Sequence, residues 1–309
     1  MKKFIYNILI FVLPAGLVLL IADYMFSSVA KHSNEYAIES WYDLMEGNIE
    51  ADVIIMGSSR AWVQYDPLIL DSILGINSYN LGIDARKHYS QIKKYNLFKK
   101  RNKKPRLIIQ NIDILDFNAI IRGINKHQFF PYFWDIDMRR EFINNEVFNA
   151  GEKYLPMYRF INFSSHNDIS IFLPSGSNCL TKGYRGDTAT WDGTALKKRK
   201  SIRFLPNDTV LHMFDEYLAE TRADGIKVIF VYAPIYIGAT RKMIDYKKMR
   251  DTYQAFANKY GIPILDYTHM YICYDTAYFY NALHMNKRGS ELFSDSLASD
   301  IKRLGILNP

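Results

Sequence analysis

Asp52-Val53-Ile54-Ile55-Met56-Gly57-Ser58-Ser59-Arg60 is the stretch on which the reading of the fold turns. Its apolar run, Val53 to Met56, stops abruptly at Gly57. A buried strand that ends in a Gly-Ser turn sets a hydroxyl at the carboxyl edge of a sheet, where open α/β folds hold their ligands. Four more apolar runs repeat the signal, at 78–83, 107–113, 227–235 and 262–267. They are rich in Val, Ile and Leu and barely alternate, as parallel strands covered on both faces do. Helical patterns fill 86–100, 205–224, 245–260 and 287–304, with Gly225 and Gly261 as stop signals. This alternation predicts a three-layer α/β/α domain around a five-stranded parallel sheet. Residues 117–204 break the rhythm. They are aromatic and irregular, and they read as an insertion after the third strand that faces the substrate.

Residues 4–22 carry no charge. As a helix these 19 residues span roughly 29 Å, at about 1.5 Å per residue, close to the hydrocarbon thickness of a bilayer. Lys2 and Lys3 come first, so the start of the chain is expected in the cytoplasm and the remainder outside it. Ser28-Val29-Ala30 offers the small residues of a signal-peptide cleavage site. The apolar cores of such peptides are shorter, about 7–15 residues, which favours an uncleaved transmembrane anchor. The expected organisation is a membrane anchor at 1–30, a connector at 31–50, and the α/β domain at 51–309 with its insertion at 117–204.

The formal charge of +7 is local. Of 39 basic residues, 11 lie in two clusters, around 99–106 and 197–203, and the other 28 stand against 32 acidic ones. The clusters read as a helix end and a solvated loop, so nucleic acid is not an expected partner. Cys179 and Cys273 have no metal-binding spacing. An exported domain permits a disulfide between them, and isolated thiols are the alternative. No cofactor or metal is predicted.

A serine hydroxyl needs a positioned base to act as a nucleophile and amide donors to hold the developing oxyanion. Ser59, in a strand-to-helix turn, has both exposure and free N–H groups nearby. His284 lies just before the last helix in Asn281-Ala282-Leu283-His284. Gly82, in the loop Asn80-Leu81-Gly82-Ile83-Asp84-Ala85-Arg86, lets the backbone approach a ligand closely.

Together these motifs resemble the SGNH (GDSL-type) hydrolases, over roughly residues 50–306. Within that superfamily the chain looks like the membrane-anchored bacterial branch related to proteins that modify acyl groups of envelope polysaccharides and teichoic acids. Gly57-Ser58-Ser59 stands where that family has Gly-Asp-Ser, which implies Ser59 as nucleophile. Gly82 matches the glycine that donates to the oxyanion. Asn281-Ala282-Leu283-His284 falls on the Asp-x-x-His block and implies His284 as base. The resemblance implies a flavodoxin-like fold, hydrolysis or transfer of ester-linked acyl groups, and no metal. Two departures stand out. Where the family reads Gly-x-Asn-Asp, this chain has Gln110-Asn111-Ile112-Asp113, which places Asn111 one register away as an oxyanion donor. Asn281 replaces the aspartate that orients the histidine, with Asp266 or Asp275 as substitutes from another direction.

The expected activity is that of an exported serine esterase or O-acetyltransferase acting on acyl groups of an envelope glycan. A membrane acyl-donor protein is a candidate partner. The rival is a catalytically silent scaffold that binds glycan or an envelope-assembly partner.

Overall fold

The structure, a computed structural model, describes residues 2–33, 36–85, 87–119, 126–145, 148–161, 180–196 and 200–307. By its internal contacts the chain forms two compact units. One comprises Met1–Tyr42 with Arg122–Cys179, and the other Asp43–Ile121 with Leu180–Pro309. The stretch 117–204 is thus shared between them.

The larger unit is built on five parallel strands: β1 (Val53–Met56), β2 (Ser78–Asn80), β3 (Leu107–Asn111), β4 (Lys227–Tyr232) and β5 (Ile264–Asp266). Their order is β2-β1-β3-β4-β5. β1 sits inside the sheet, so all four of its residues are buried. Val53, Ile55, Ile109 and Val231 share one face of the sheet with Phe293 and Leu297. On the other face Phe230 meets Phe214 and Tyr253, at ring distances of 5.9 and 5.8 Å. Two apolar faces demand two helical layers. One holds α3 (Ser59–Gln64), α4 (Pro67–Leu74) and α8 (Lys287–Arg303), with α8 packed on the other two. The second holds α5 (His88–Arg101), α6 (Asp208–Ala223) and α7 (Tyr246–Tyr260), with α6 packed on its neighbours. This is the three-layer α/β/α architecture with a five-stranded parallel sheet that the strand–helix rhythm predicts.

Local chemistry sets the helix ends. Asp66 caps α4 by accepting the Leu68 N–H at 3.0 Å, and Pro67 occupies the first turn. Asn286 caps α8 by accepting the Gly289 N–H at 3.0 Å. The second strand is shorter than its apolar run. Beyond Asn80 the chain follows β1 only through Leu81 N–H to Ile55 O and Ile83 N–H to Gly57 O. That path brings the 81–85 loop to the end of β1.

The smaller unit contains α1 (Lys2–Lys31), most of α2 (Tyr36–Glu46), and short helical turns between 126 and 161. Trp41 is its centre. It is fully buried against Phe129 and Phe142, and its indole N–H donates to Gln128 Oε1 at 2.9 Å. Ile10–Lys31 is apolar and long enough to cross a membrane. Cys273 is a buried free thiol bonded to Tyr267 O, and Cys179 lies outside the described residues.

Candidate active site

The site forms where β1 gives way to α3. Gly57 makes the turn at φ +156°, and a Cβ there would come within 2.6 Å of Ala61 Cβ and 2.8 Å of Asn111 Cβ. Only glycine fits so close an approach. Ser58 then caps α3, its hydroxyl accepting the Arg60 N–H at 3.3 Å, and Ser59 occupies the first helical position. Arg60 points into the fold. It pairs with Asp113 at 3.2 Å and donates to Ala233 O at 2.6 Å, tying α3 to the ends of β3 and β4.

His284 arrives on a hairpin of two short strands, β6 (Phe279–Asn281) and β7 (His284–Met285), immediately before α8. Its Nε2 lies 2.8 Å from Ser59 Oγ, across 225 residues of sequence. Its Nδ1 lies 3.0 Å from Asn281 Oδ1. That oxygen also accepts the backbone N–H groups of Leu283 (3.0 Å) and His284 (3.1 Å). The two backbone donors identify the Asn281 atom as oxygen, since an amide NH₂ accepts nothing. Nδ1 therefore carries the ring proton, and Nε2 is the acceptor for the Ser59 hydroxyl. The Tyr280 ring lies parallel to the imidazole, 9° from coplanar at a centroid distance of 5.5 Å, and limits its rotation. The bonds of Asp266 and Asp275 go elsewhere. Asp266 pairs with Arg250 at 2.5 Å and Asp275 caps the Ala277 N–H.

Asn111, the last residue of β3, reaches the same turn. Its Oδ1 accepts the hydroxyl proton of buried Tyr65 at 2.8 Å. Its Nδ2 is buried and, among the described residues, has no partner. A Cβ on Gly57 would stand 3.4 Å from that nitrogen, so the amide abuts the turn that carries Ser59. A buried donor without an acceptor costs about 1–3 kcal/mol and is an expected feature of a site awaiting a ligand oxygen. The Ser59 N–H, at a helix start, also has no partner among the described residues.

Gly82 is placed differently from the resemblance's expectation. Its N–H is already committed to Asn80 Oδ1 at 2.9 Å, and Asn80 is itself held by donating to Ala61 O and Tyr65 O. The reason for glycine at 82 is packing, because a Cβ would meet Trp62 N at 2.4 Å. Further along this loop Ala85 is exposed, adopts φ +52°, and offers an amide without a partner among the described residues. Lys94 lies beneath the loop, fully buried, with Nζ 3.4 Å from Gly82 O. Burial pushes its pKa down to about 7.

Sequence reasoning thus located Ser59, His284, Asn281 and Asn111, which the structure brings together, but missed Tyr65, Tyr280, Ala85 and Lys94. Tyr280 adjoins Asn281 and was within reach of inspection. Tyr65 and Lys94 have no signal apart from the tertiary fold. Among the described residues, no group of three or more His, Cys, Asp or Glu is arranged to hold a metal ion.

No protein-family model and no curated protein matches the chain. Solved structures do resemble it. A protein assigned to the G-D-S-L lipolytic family from Desulfitobacterium hafniense aligns with a TM-score of 0.42 and 12% identity, over 80% of this chain and 97% of its own. A GDSL-like lipase from Bacteroides thetaiotaomicron gives 0.41 and 12%, over 87% and 100%. A protein described as an acylhydrolase from Bacteroides fragilis gives 0.40 and 13%, over 87% and 95%. At these values the likenesses are distant.

Proposed function

We propose that the chain is a membrane-anchored serine ester hydrolase or O-acyltransferase of the SGNH type, acting on ester-linked acyl groups of an envelope glycan. The observation that carries this reading is the relay Ser59 Oγ–His284 Nε2–His284 Nδ1–Asn281 Oδ1, with contacts of 2.8 and 3.0 Å. A hydroxyl–imidazole pair within hydrogen-bond reach, its ring held in the base-competent tautomer, is the geometric requirement for nucleophilic acyl transfer.

In the first half-reaction Ser59 Oγ attacks the acyl carbonyl carbon while its proton passes to His284 Nε2. The negative charge on the former carbonyl oxygen is held by the Ser59 N–H and Asn111 Nδ2, with the 82–85 loop closing the third side. The tetrahedral intermediate collapses, the leaving alcohol takes the proton from Nε2, and the acyl group stays on Ser59. In the second half an incoming hydroxyl gives its proton to Nε2 and takes the acyl group, and the proton then returns to Ser59. Water as acceptor makes an esterase, and a sugar hydroxyl makes a transferase. Asn281 orients the ring but brings no charge to offset the imidazolium.

The glycan assignment is supported by the aromatic surroundings. The half-buried Tyr280 covers His284, and the half-buried Trp191 is hydrogen-bonded through its backbone to Phe279. Aromatic faces suit sugar rings. The apolar helix preceding the domain supports placement at a membrane, with the site on the outer side.

A fluorophosphonate probe tests the reading. Covalent labelling of the wild type at Ser59, lost in Ser59→Ala and His284→Ala, is expected. Absence of labelling together with retained glycan binding favours the silent scaffold.

A further inference from the structure

One residue of the smaller unit, Asp23, gathers an unusually dense set of polar contacts. In the sequence Asp23 is the first charge after the uncharged run of 4–22. It is only 1% exposed. Its carboxylate accepts Arg159 Nη1 at 2.6 Å and Nη2 at 2.7 Å, Trp134 Nε1 at 2.7 Å, and the backbone N–H of Met157 at 2.7 Å. Arg159 also donates to Ser27 Oγ, and its guanidinium is covered by the rings of Phe133 and Phe160 at 4.6 and 4.4 Å. A carboxylate near a helix surface in water needs no such enclosure. Taking both ions out of water carries a large desolvation penalty before pairing. Of the two ions' polar atoms, only Arg159 Nε is buried without a partner among the described residues, and so dense a pairing under an aromatic cover suits a place where lipid, rather than water, lies alongside.

Two chain segments meet at Asp23, one through Trp134 and the other through Met157. The residues next to these contacts point outward and are apolar. Trp134 is 44% exposed, Ile136 72%, Tyr154 67% and Leu155 54%. The same part of α1 exposes Tyr24 and Met25. Trp and Tyr are the residue types that settle at the level of lipid headgroups, and Ile136 and Leu155 supply apolar area beside them.

We propose that Trp134, Ile136, Tyr154 and Leu155 form a shelf that rests in the interfacial layer of the bilayer crossed by α1, at the depth marked by Asp23. The occupant of this surface is lipid, because Trp134 bonds to Asp23 directly and the Tyr154–Leu155 segment is tied to it through the nearby Met157 N–H, which joins the shelf to the end of the apolar run of α1. The proposal rests on the reading of α1 as an uncleaved membrane helix. It adds a second membrane contact that fixes the orientation of the smaller unit, so that this unit does not swing freely on its anchor. It also makes α1 part of the folded unit, since cleavage after Ala30 would remove Asp23 and leave Arg159 buried without its carboxylate.

The full-length protein in phosphatidylcholine vesicles provides the test. Tryptophan emission is compared between lipids brominated high on the acyl chain and lipids brominated near its terminus, for wild type and Trp134→Phe. A Tyr154→Trp variant adds a reporter at an exposed position without touching Asp23. The expected result is stronger quenching of both reporters by the shallow bromines. Alkaline carbonate extraction separates the two readings. If the wild type is released, the anchor itself fails. If it stays embedded while neither reporter is quenched, the shelf alone is overturned. Unquenched reporters together with a cross-linked dimer in the vesicles overturn it in favour of a second copy of the chain.

Discussion

Asn281 Oδ1 lies 3.0 Å from His284 Nδ1, and the same oxygen is held by two backbone N–H groups of its own hairpin. The backbone bonds decide which end of the amide faces the histidine. In a serine protease, replacing the orienting aspartate with asparagine lowers turnover about 10⁴-fold through the wrong tautomer. Here the hairpin removes that failure, and what remains missing is charge.

Replacing Asn281 therefore separates orientation from charge. Asn281→Asp keeps the acceptor and adds a negative charge, which raises a neighbouring histidine's pKa by roughly 1–3 units. The acid limb of the kcat/KM profile on an acetyl ester should move to higher pH, and the plateau above it should rise. Asn281→Ala removes the acceptor and should lower kcat by about 10²-fold or more, within the range of general acid–base catalysis. A wild-type rate in the alanine variant would remove Asn281 from the relay.

Asn111 and Tyr65 form a second pair. The Tyr65 hydroxyl holds Asn111 Oδ1, which leaves Nδ2 as the donor assigned to the oxyanion in the proposed mechanism. Asn111→Ala should cost about 10²–10³ in kcat, the usual loss for one oxyanion donor. Tyr65→Phe should cost less, with KM almost unchanged, because it frees the amide to rotate without deleting it. Combining the two should give little more than Asn111→Ala alone. Additive losses would mean that Tyr65 acts by some route other than Asn111.

Much of this site was legible in the sequence. Gly57-Ser58-Ser59 after an apolar run, and His284 before a final helix, are local signals, and a parallel sheet brings strand ends together at one edge. Gly82 was legible as a loop glycine but not in its bonding. Whether its amide meets a ligand or Asn80 depends on side-chain rotamers that spacing does not encode. The sharing of 117–204 between two units was not legible either. The segment joins the smaller unit through tertiary contacts such as Trp41 on Phe129 and Asp23 on Arg159, the latter across 136 residues, and no periodicity marks such contacts.

Lys94 makes stability depend on pH. Burial lowers its pKa from an ordinary 10.5 to about 7. Between those values the unfolded chain binds a proton that the folded chain does not. The Lys94 contribution therefore becomes more favourable as pH rises through that interval, by about 1.4 kcal/mol per unit at most. Lys94→Met should stabilise the fold at pH 7, and the gain should shrink steadily toward pH 10.5. Urea midpoints across this range provide the check, and a pH-independent difference would show that Lys94 is not the titrating group.

The Asp23–Arg159 pair calls for a double-mutant cycle. Arg159→Leu leaves a carboxylate buried with only Trp134 Nε1 and the Met157 N–H for company, and Asp23→Leu leaves a guanidinium under aromatic rings. Losing one partner of a buried pair costs about 3–5 kcal/mol, whereas replacing both with apolar groups is often close to neutral. Each single variant should expose Trp41 and its neighbours to proteolysis at lower temperature than the wild type. The double variant should regain much of the loss. If it is instead as labile as the sum of the two singles, the ions do not act as a pair, and the enclosure of Asp23 needs another cause.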